Sequence, residues 1–180
     1  HQRGEIAEAQ AAYARGEQIA RALDQRDSLL VLAFNAAKLH ADAGALDRAE
    51  AKAEHVVAAA EREQKRFFVA AAQSVLGDVA FARGDLERAR RSFEAARSGF
   101  VAEDAKREVA EEELELGRVG ISAGRDADAA LHLAAARAIG VDDAADLRVR
   151  AAMLSARLAL GRGDAAAARH NGMNEEDSWN

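Results

Sequence analysis

Five glycines stand at nearly even intervals along this chain: Gly4, Gly44, Gly84, Gly124 and Gly163, separated by 40, 40, 40 and 39 residues. Among 13 glycines such spacing could be accidental, but their surroundings argue against it. Alanine follows each by five positions, at Ala9, Ala49, Ala89, Ala129 and Ala168. Ile6, Leu46 and Leu86 follow the first three by two positions, and Tyr13, Ala53, Phe93 and Leu133 follow by nine. Seven positions before the glycine stand Ala37, Gly77, Gly117 and Ala156, and eight before it Ala36, Leu76, Leu116 and Ser155. A glycine in this company fits the left-handed residue that ends a helix, where a Cβ is penalised. Glu5, Asp85 or Asp164 after it suits the positive start of a second helix. The apolar residues beyond recur at helical spacing and form one buried stripe. Small residues on both sides let two backbones cross closely. The unit is helix A, a glycine turn and helix B. The chain is therefore expected to be an all-α solenoid, an α-α superhelix of antiparallel helical hairpins.

The expected spans follow from that phase. An incomplete first unit, about 4–26, supplies only a helix B from Glu5 to Gln25. Three hairpins occupy 28–64, 65–103 and 104–142. Their helices are Ser28–Ala43 and Leu46–Glu63, Lys65–Arg83 and Leu86–Val101, and Ala105–Ala123 and Ala127–Ile139. A last pair at 143–170 joins Ala144–Leu160 to a short helix from Ala165 to His170, so one array covers 1–170. Asn171, Gly172 and Asn174 should then stop the helix and leave 171–180 as an irregular acidic tail with Glu175, Glu176, Asp177 and Trp179. An array that begins mid-hairpin exposes the apolar side of its first helix. That points to a piece of a longer protein, against a natural capping helix.

Composition agrees and narrows the function. Apolar residues are 49% of the chain, mostly alanine, and aromatics only 4%, which suits many thin helix interfaces better than one thick core. There is no proline to break long helices. There is no cysteine, so no disulfide framework and no need of an oxidising compartment. No apolar run is long enough to span a membrane, and residues 1–10 lack the apolar core of a signal peptide; a cytoplasmic location is expected. A net charge of −6 speaks against direct nucleic-acid contact, which usually uses a basic stripe. Lysine is confined to Lys38, Lys52, Lys65 and Lys106, in an arginine- and alanine-rich background typical of a GC-rich bacterial genome.

The stretch Leu76-Gly77-Asp78-Val79-Ala80-Phe81-Ala82-Arg83-Gly84-Asp85-Leu86-Glu87-Arg88-Ala89, continuing to Phe93 and Ala96, resembles a tetratricopeptide repeat. The hallmarks of that family are Leu-Gly in helix A, Gly-Asp at the turn, then alanine, an aromatic and alanine in helix B. The other units match more loosely, together from Gly4 to Ala168. The family repeat is about 34 residues; the extra six here add about 9 Å of helix, shared between A and B. The proline that usually closes helix B is missing. Similar long repeats occur in maltose-regulator-like bacterial transcription activators and in peptide-binding adaptor arrays. The resemblance implies a right-handed superhelix whose concave wall is built mainly by the A helices.

Few residues invite catalytic chemistry. His1, His40, His55, His132 and His170 show no zinc-ligand spacing. His40 occupies a packing position of helix A, and His55 and His132 are surface or packing residues of helix B. Glu111-Glu112-Glu113-Leu114-Glu115 is expected as a solvated acidic helix start. Arg88, Arg90, Arg91 and Arg97 are expected to make local pairs with Glu87 and Glu94. With no phosphate-binding loop, nucleophile elbow or HExxH motif, no enzyme activity, cofactor or metal is expected.

Carried over by phase, the concave wall would hold Val31, Phe34 and Lys38; Ala71, Ser74, Asp78 and Phe81; Glu111, Leu114, Arg118 and Ile121; and Arg150, Met153, Arg157 and Leu160, with Asn35 beside the first set. Apolar anchors alternate with charged ends, and Lys38, Arg118 and Arg157 are basic at three of four equivalent positions. That pattern suits an amphipathic or acidic peptide, because arginine can hold a carboxylate bidentately. The alternative is that Phe34, Leu114 and Ile121 simply pack between helices. Phe34 and Ser74 stand where chaperone-tail binders need polar clamp residues, so that subclass is not implied. The expected function is a non-catalytic protein–protein interaction scaffold that holds a partner peptide or helix. Other readings are a ligand- or partner-sensing segment of a larger bacterial transcription regulator, and self-association through the end helices or through an acidic tail docking into a neighbour's groove.

Overall fold

In the computed structural model the backbone is described for residues 2–140 and 144–176, and side chains for 8–140 and 144–161. Among the described residues all regular structure is α-helical: α1 (Gln2–Ala22), α2 (Arg26–Asp42), α3 (Leu46–Arg62), α4 (Arg66–Ala82), α5 (Leu86–Ala102), α6 (Lys106–Ser122), α7 (Asp126–Ile139) and α8 (Ala145–Glu176). The chain forms two compact units, His1–Glu112 and Glu113–Asn180.

The joints are more regular than the glycines suggest. Helices α2 to α6 are each 17 residues long. Left-handed backbone recurs at Gly44, Gly84 and Gly124 (φ +72°, +80° and +69°), and also midway between them at Asp24, Gln64 and Asp104 (φ 50°, 55° and 53°). At each joint the N–H of the third residue beyond the helix bonds back across six residues: Gln25 to the Ala20 carbonyl, Ala45 to His40, Lys65 to Ala60, Asp85 to Ala80, Ala105 to Phe100 and Arg125 to Gly120, at 2.8–3.0 Å. This is the Schellman closure, which satisfies carbonyls that a helix end leaves orphaned. An added Cβ would meet nothing within 4 Å at Gly44, Gly84 or Gly124. Glycine is there for its dihedral and not for space.

Two of the five expected bends are absent. Gly4 lies inside the first turn of α1, and Gly163 lies inside α8, which runs through to Glu176. The expected short helix Ala165–His170 and the stop at Gly172 are thus replaced by one continuous helix. Glycine costs a helix interior only about 1 kcal/mol relative to alanine, and Ala165–Ala168 favour continuation. Of the expected irregular tail, 171–176 is helical in its backbone, and 177–180 lie outside the described residues.

In the first unit α1 to α5 pack each on the next, and α2 also packs on α4. Gly77 and Phe93 form the tightest hairpin contact: Phe93 is 0% exposed, and a Cβ on Gly77 would stand 2.5 Å from its ring. The corresponding pair of the preceding hairpin is Ala37 with Ala53, packed in one cluster with Val75 and Leu76. Ion pairs tie α3 to the α4–α5 joint and to α5. Arg83 donates to Glu50 and Asp47, both at 2.5 Å, and Arg88 donates to Glu50 at 2.5 Å. The Arg83 hydrogen bond, followed by that from Arg88, holds the Glu50 carboxyl below its ordinary range. In the second unit α7 packs on α8, Gly120 lets the α6 backbone meet Ala129, and Gly117 makes room for Leu154.

Candidate binding pocket between α6 and α8

A run of glutamates occupies α6, with Glu111 and Glu112 in the first unit and Glu113 and Glu115 in the second. The run 111–115 sits in the middle of α6 and not at a helix start, and most of it is not solvated. Glu112 is 2% exposed and Glu113 5%. Each acid has a partner. Ser74 donates its hydroxyl to Glu112 at 2.6 Å, His132 Nδ1 lies 2.7 Å from Glu113, and Arg107 pairs with Glu111 at 3.1 Å. Glu115 pairs with both Arg118 and Arg150. The expectation of a solvated stretch fails because buried carboxylates persist where each is hydrogen-bonded or ion-paired, and those partners stand 19 to 38 residues away or on the next turn.

The double pairing at Glu115 has a geometric result. Held by one carboxylate, Arg118 of α6 and Arg150 of α8 both line a cavity of about 300 Å³. Leu114, Leu154, Met153 and Ala156 supply its apolar lining, and Arg157 lines it as well. Leu114 is buried at 4% exposure, whereas Met153 is 65% exposed. Arg157 is exposed and makes no ion pair among the described residues. An apolar wall edged by fixed guanidinium groups can receive a side chain and orient a carboxylate.

The second unit brings four of the proposed groove residues to one place. Leu114, Arg118, Met153 and Arg157 come together at this pocket, joined by Arg150. Ile121 is half-buried on α6 and does not line it. In the first unit Phe34 is half-buried against the clusters around Ala37 and Val56, so it serves the hairpin core. Asn35, Asp78 and Phe81 are half-buried, and Asp78 and Phe81 have partners of their own. Ser74 is committed to Glu112, and Lys38 is exposed. Arg90 makes the expected local pairs with Glu87 and Glu94, but Arg88 reaches α3 instead. His40 is half-buried and accepts a hydrogen bond from Gln10 at 3.3 Å. Burial, followed by the charges of Arg48 and Lys52, holds its pKa below the usual histidine value.

One cavity in the first unit escapes sequence reasoning. About 780 Å³ opens between the C-terminal halves of α3 and α5 over the first turns of α4. Ala60, Ala70, Ala95 and Gly99 form its small-residue walls. A Cβ on Gly99 would stand 2.7 Å from that of Ala70. The signal in the sequence was the clustering of small residues on two helices 40 residues apart in phase. Its rim mixes Glu61 and Glu103 with Lys65 and Arg66, so no single charge is favoured.

Among the described residues no three histidine, aspartate or glutamate side chains converge as a metal site requires. No described helix is long and apolar enough to cross a membrane. No family model matches the chain, and no curated protein matches it significantly.

Proposed function

We propose that this chain is a non-catalytic interaction scaffold whose second unit captures a segment of a partner protein at the α6–α8 pocket. The observation that carries the proposal is the exposed pair Met153 and Arg157 beside two arginines already fixed by Glu115. An exposed methionine offers adaptable apolar contact. Guanidinium groups held before binding lose less side-chain entropy when they engage a carboxylate. The resemblance of the Leu76–Ala96 stretch to a tetratricopeptide repeat supports the same class of function. A photo-crosslinking residue placed at Ala156, which lines the pocket, tests it in cells. Protein adducts are expected that disappear with Arg157→Glu and persist with Arg62→Glu on α3. No adducts, or adducts indifferent to Arg157→Glu, would refute the proposal.

A further inference from the structure

Helix α8 is apolar on two faces. Leu147, Ala151, Leu154 and Leu158 are buried and follow one another at intervals of four, three and four residues. Val149, Met153, Ala156 and Leu160 repeat the same intervals, yet all four are exposed. At 3.6 residues per turn the second stripe lies nearly opposite the first. The exposed stripe is long enough for a helical partner: intervals of four, three and four are those by which one helix presents a seam to another. Met153 and Ala156 of this stripe line the α6–α8 pocket, and the flank on that side is net basic, with Arg150 and Arg157 against Asp146. Arg148 lies toward the other side.

We propose that this surface takes an acidic amphipathic helix, whose apolar seam covers Val149, Met153, Ala156 and Leu160 and whose flanking carboxylates meet Arg150 and Arg157. The inference rests on the pocket being a binding site and names the class of partner. Charge decides among occupants. A second copy of α8 would set an arginine-flanked stripe against another, and a basic helix would be repelled, whereas aspartate or glutamate beside the seam would be drawn in. The extended form of a peptide would present its side chains on alternate faces, and only every second one could follow the helical stripe.

The probe is a fluorescent synthetic peptide of about 18 residues, rich in alanine and glutamate, with leucine at intervals of four, three and four. Its anisotropy is followed on titration with the 180-residue chain. Binding is expected to weaken as salt is added and to fall by about tenfold or more with Met153→Glu or Arg157→Glu. Both residues are exposed, and circular dichroism melting of each variant checks that the fold survives. Binding that is equal for a leucine-scrambled peptide or for a lysine-for-glutamate peptide would overturn the proposal. Equal binding by a proline-interrupted peptide would overturn the helical class of partner while leaving the pocket reading standing. No binding by any acidic peptide, together with crosslinks at Ala156 that Arg157→Glu abolishes, would likewise overturn this inference alone. Sedimentation showing a dimer that Met153→Glu dissolves would assign the stripe to a second copy and overturn it too.

Discussion

Gly77 and Phe93 should be coupled strongly enough to reverse the sign of a substitution. A methyl group at position 77 would enter the Phe93 ring at 2.5–2.8 Å, and the ring, wholly buried, can yield only by moving the α4–α5 interface. Overpacking of this kind costs about 1–3 kcal/mol. Alanine in place of a mid-helix glycine returns about 1 kcal/mol of helix propensity. Gly77→Ala should therefore be neutral to destabilising by about 2 kcal/mol in the native background. Phe93→Ala alone should cost about 3–5 kcal/mol. With the ring gone, Gly77→Ala meets no obstacle and should stabilise by about 1 kcal/mol. The coupling in the double-mutant cycle is then about 1–3 kcal/mol. Urea unfolding of the four proteins, followed by circular dichroism, measures it. If Gly77→Ala stabilises the native protein, or has the same effect in both backgrounds, the proposed steric contact is wrong.

The joints make a second prediction. Gly84→Ala should cost about 1–2 kcal/mol through backbone strain alone, because open space surrounds that site. Gln64→Gly, at the equivalent left-handed position, should stabilise by about 0.5–1 kcal/mol; thermal unfolding of both variants checks the pair, and a loss with Gln64→Gly would refute the equivalence. The histidine makes a third. Since the folded pKa of His40 lies below 6.5, the unfolded chain binds its proton more readily. Its contribution is present above pH 6.5 and is lost as pH falls through that value toward the folded one. His40→Gln should flatten that part of the stability–pH profile in urea titrations, and an unchanged slope would count against the assignment.

What was legible in the sequence, and what was not, divides along physical lines. Gly44, Gly84 and Gly124 announced their turns because an unhindered left-handed dihedral selects glycine. Asp24, Gln64 and Asp104 adopt the same dihedral without announcing it, since the six-residue hydrogen bond sustains the joint whatever side chain is carried there. Gly163 misled because the same residue type is tolerated within a helix at modest cost. The small-residue positions Gly77 and Gly117 were readable as close crossings, and both accommodate a large neighbour. The acidic run was not, because local sequence shows four carboxylates but not Ser74, His132 and Arg150, which reach them from other helices. Phe34 stayed open between groove and packing for a similar reason. Phase identifies the face of a helix but not which of its residues the neighbouring helix consumes, as it does Phe34.

The even joints carry a consequence for how such a chain could change length. As far as residue 124 the left-handed residues fall at 24, 44, 64, 84, 104 and 124, so over that stretch the backbone keeps a step of 20, which Gly140 then shortens, while the side-chain pattern keeps a step of 40. Excising one step would leave each remaining corner with its hydrogen bonds, yet it would set an A helix where a B helix belongs and turn its apolar stripe the wrong way. Excising two steps would disturb neither. Growth or loss by whole hairpins is therefore the only edit that both rhythms permit.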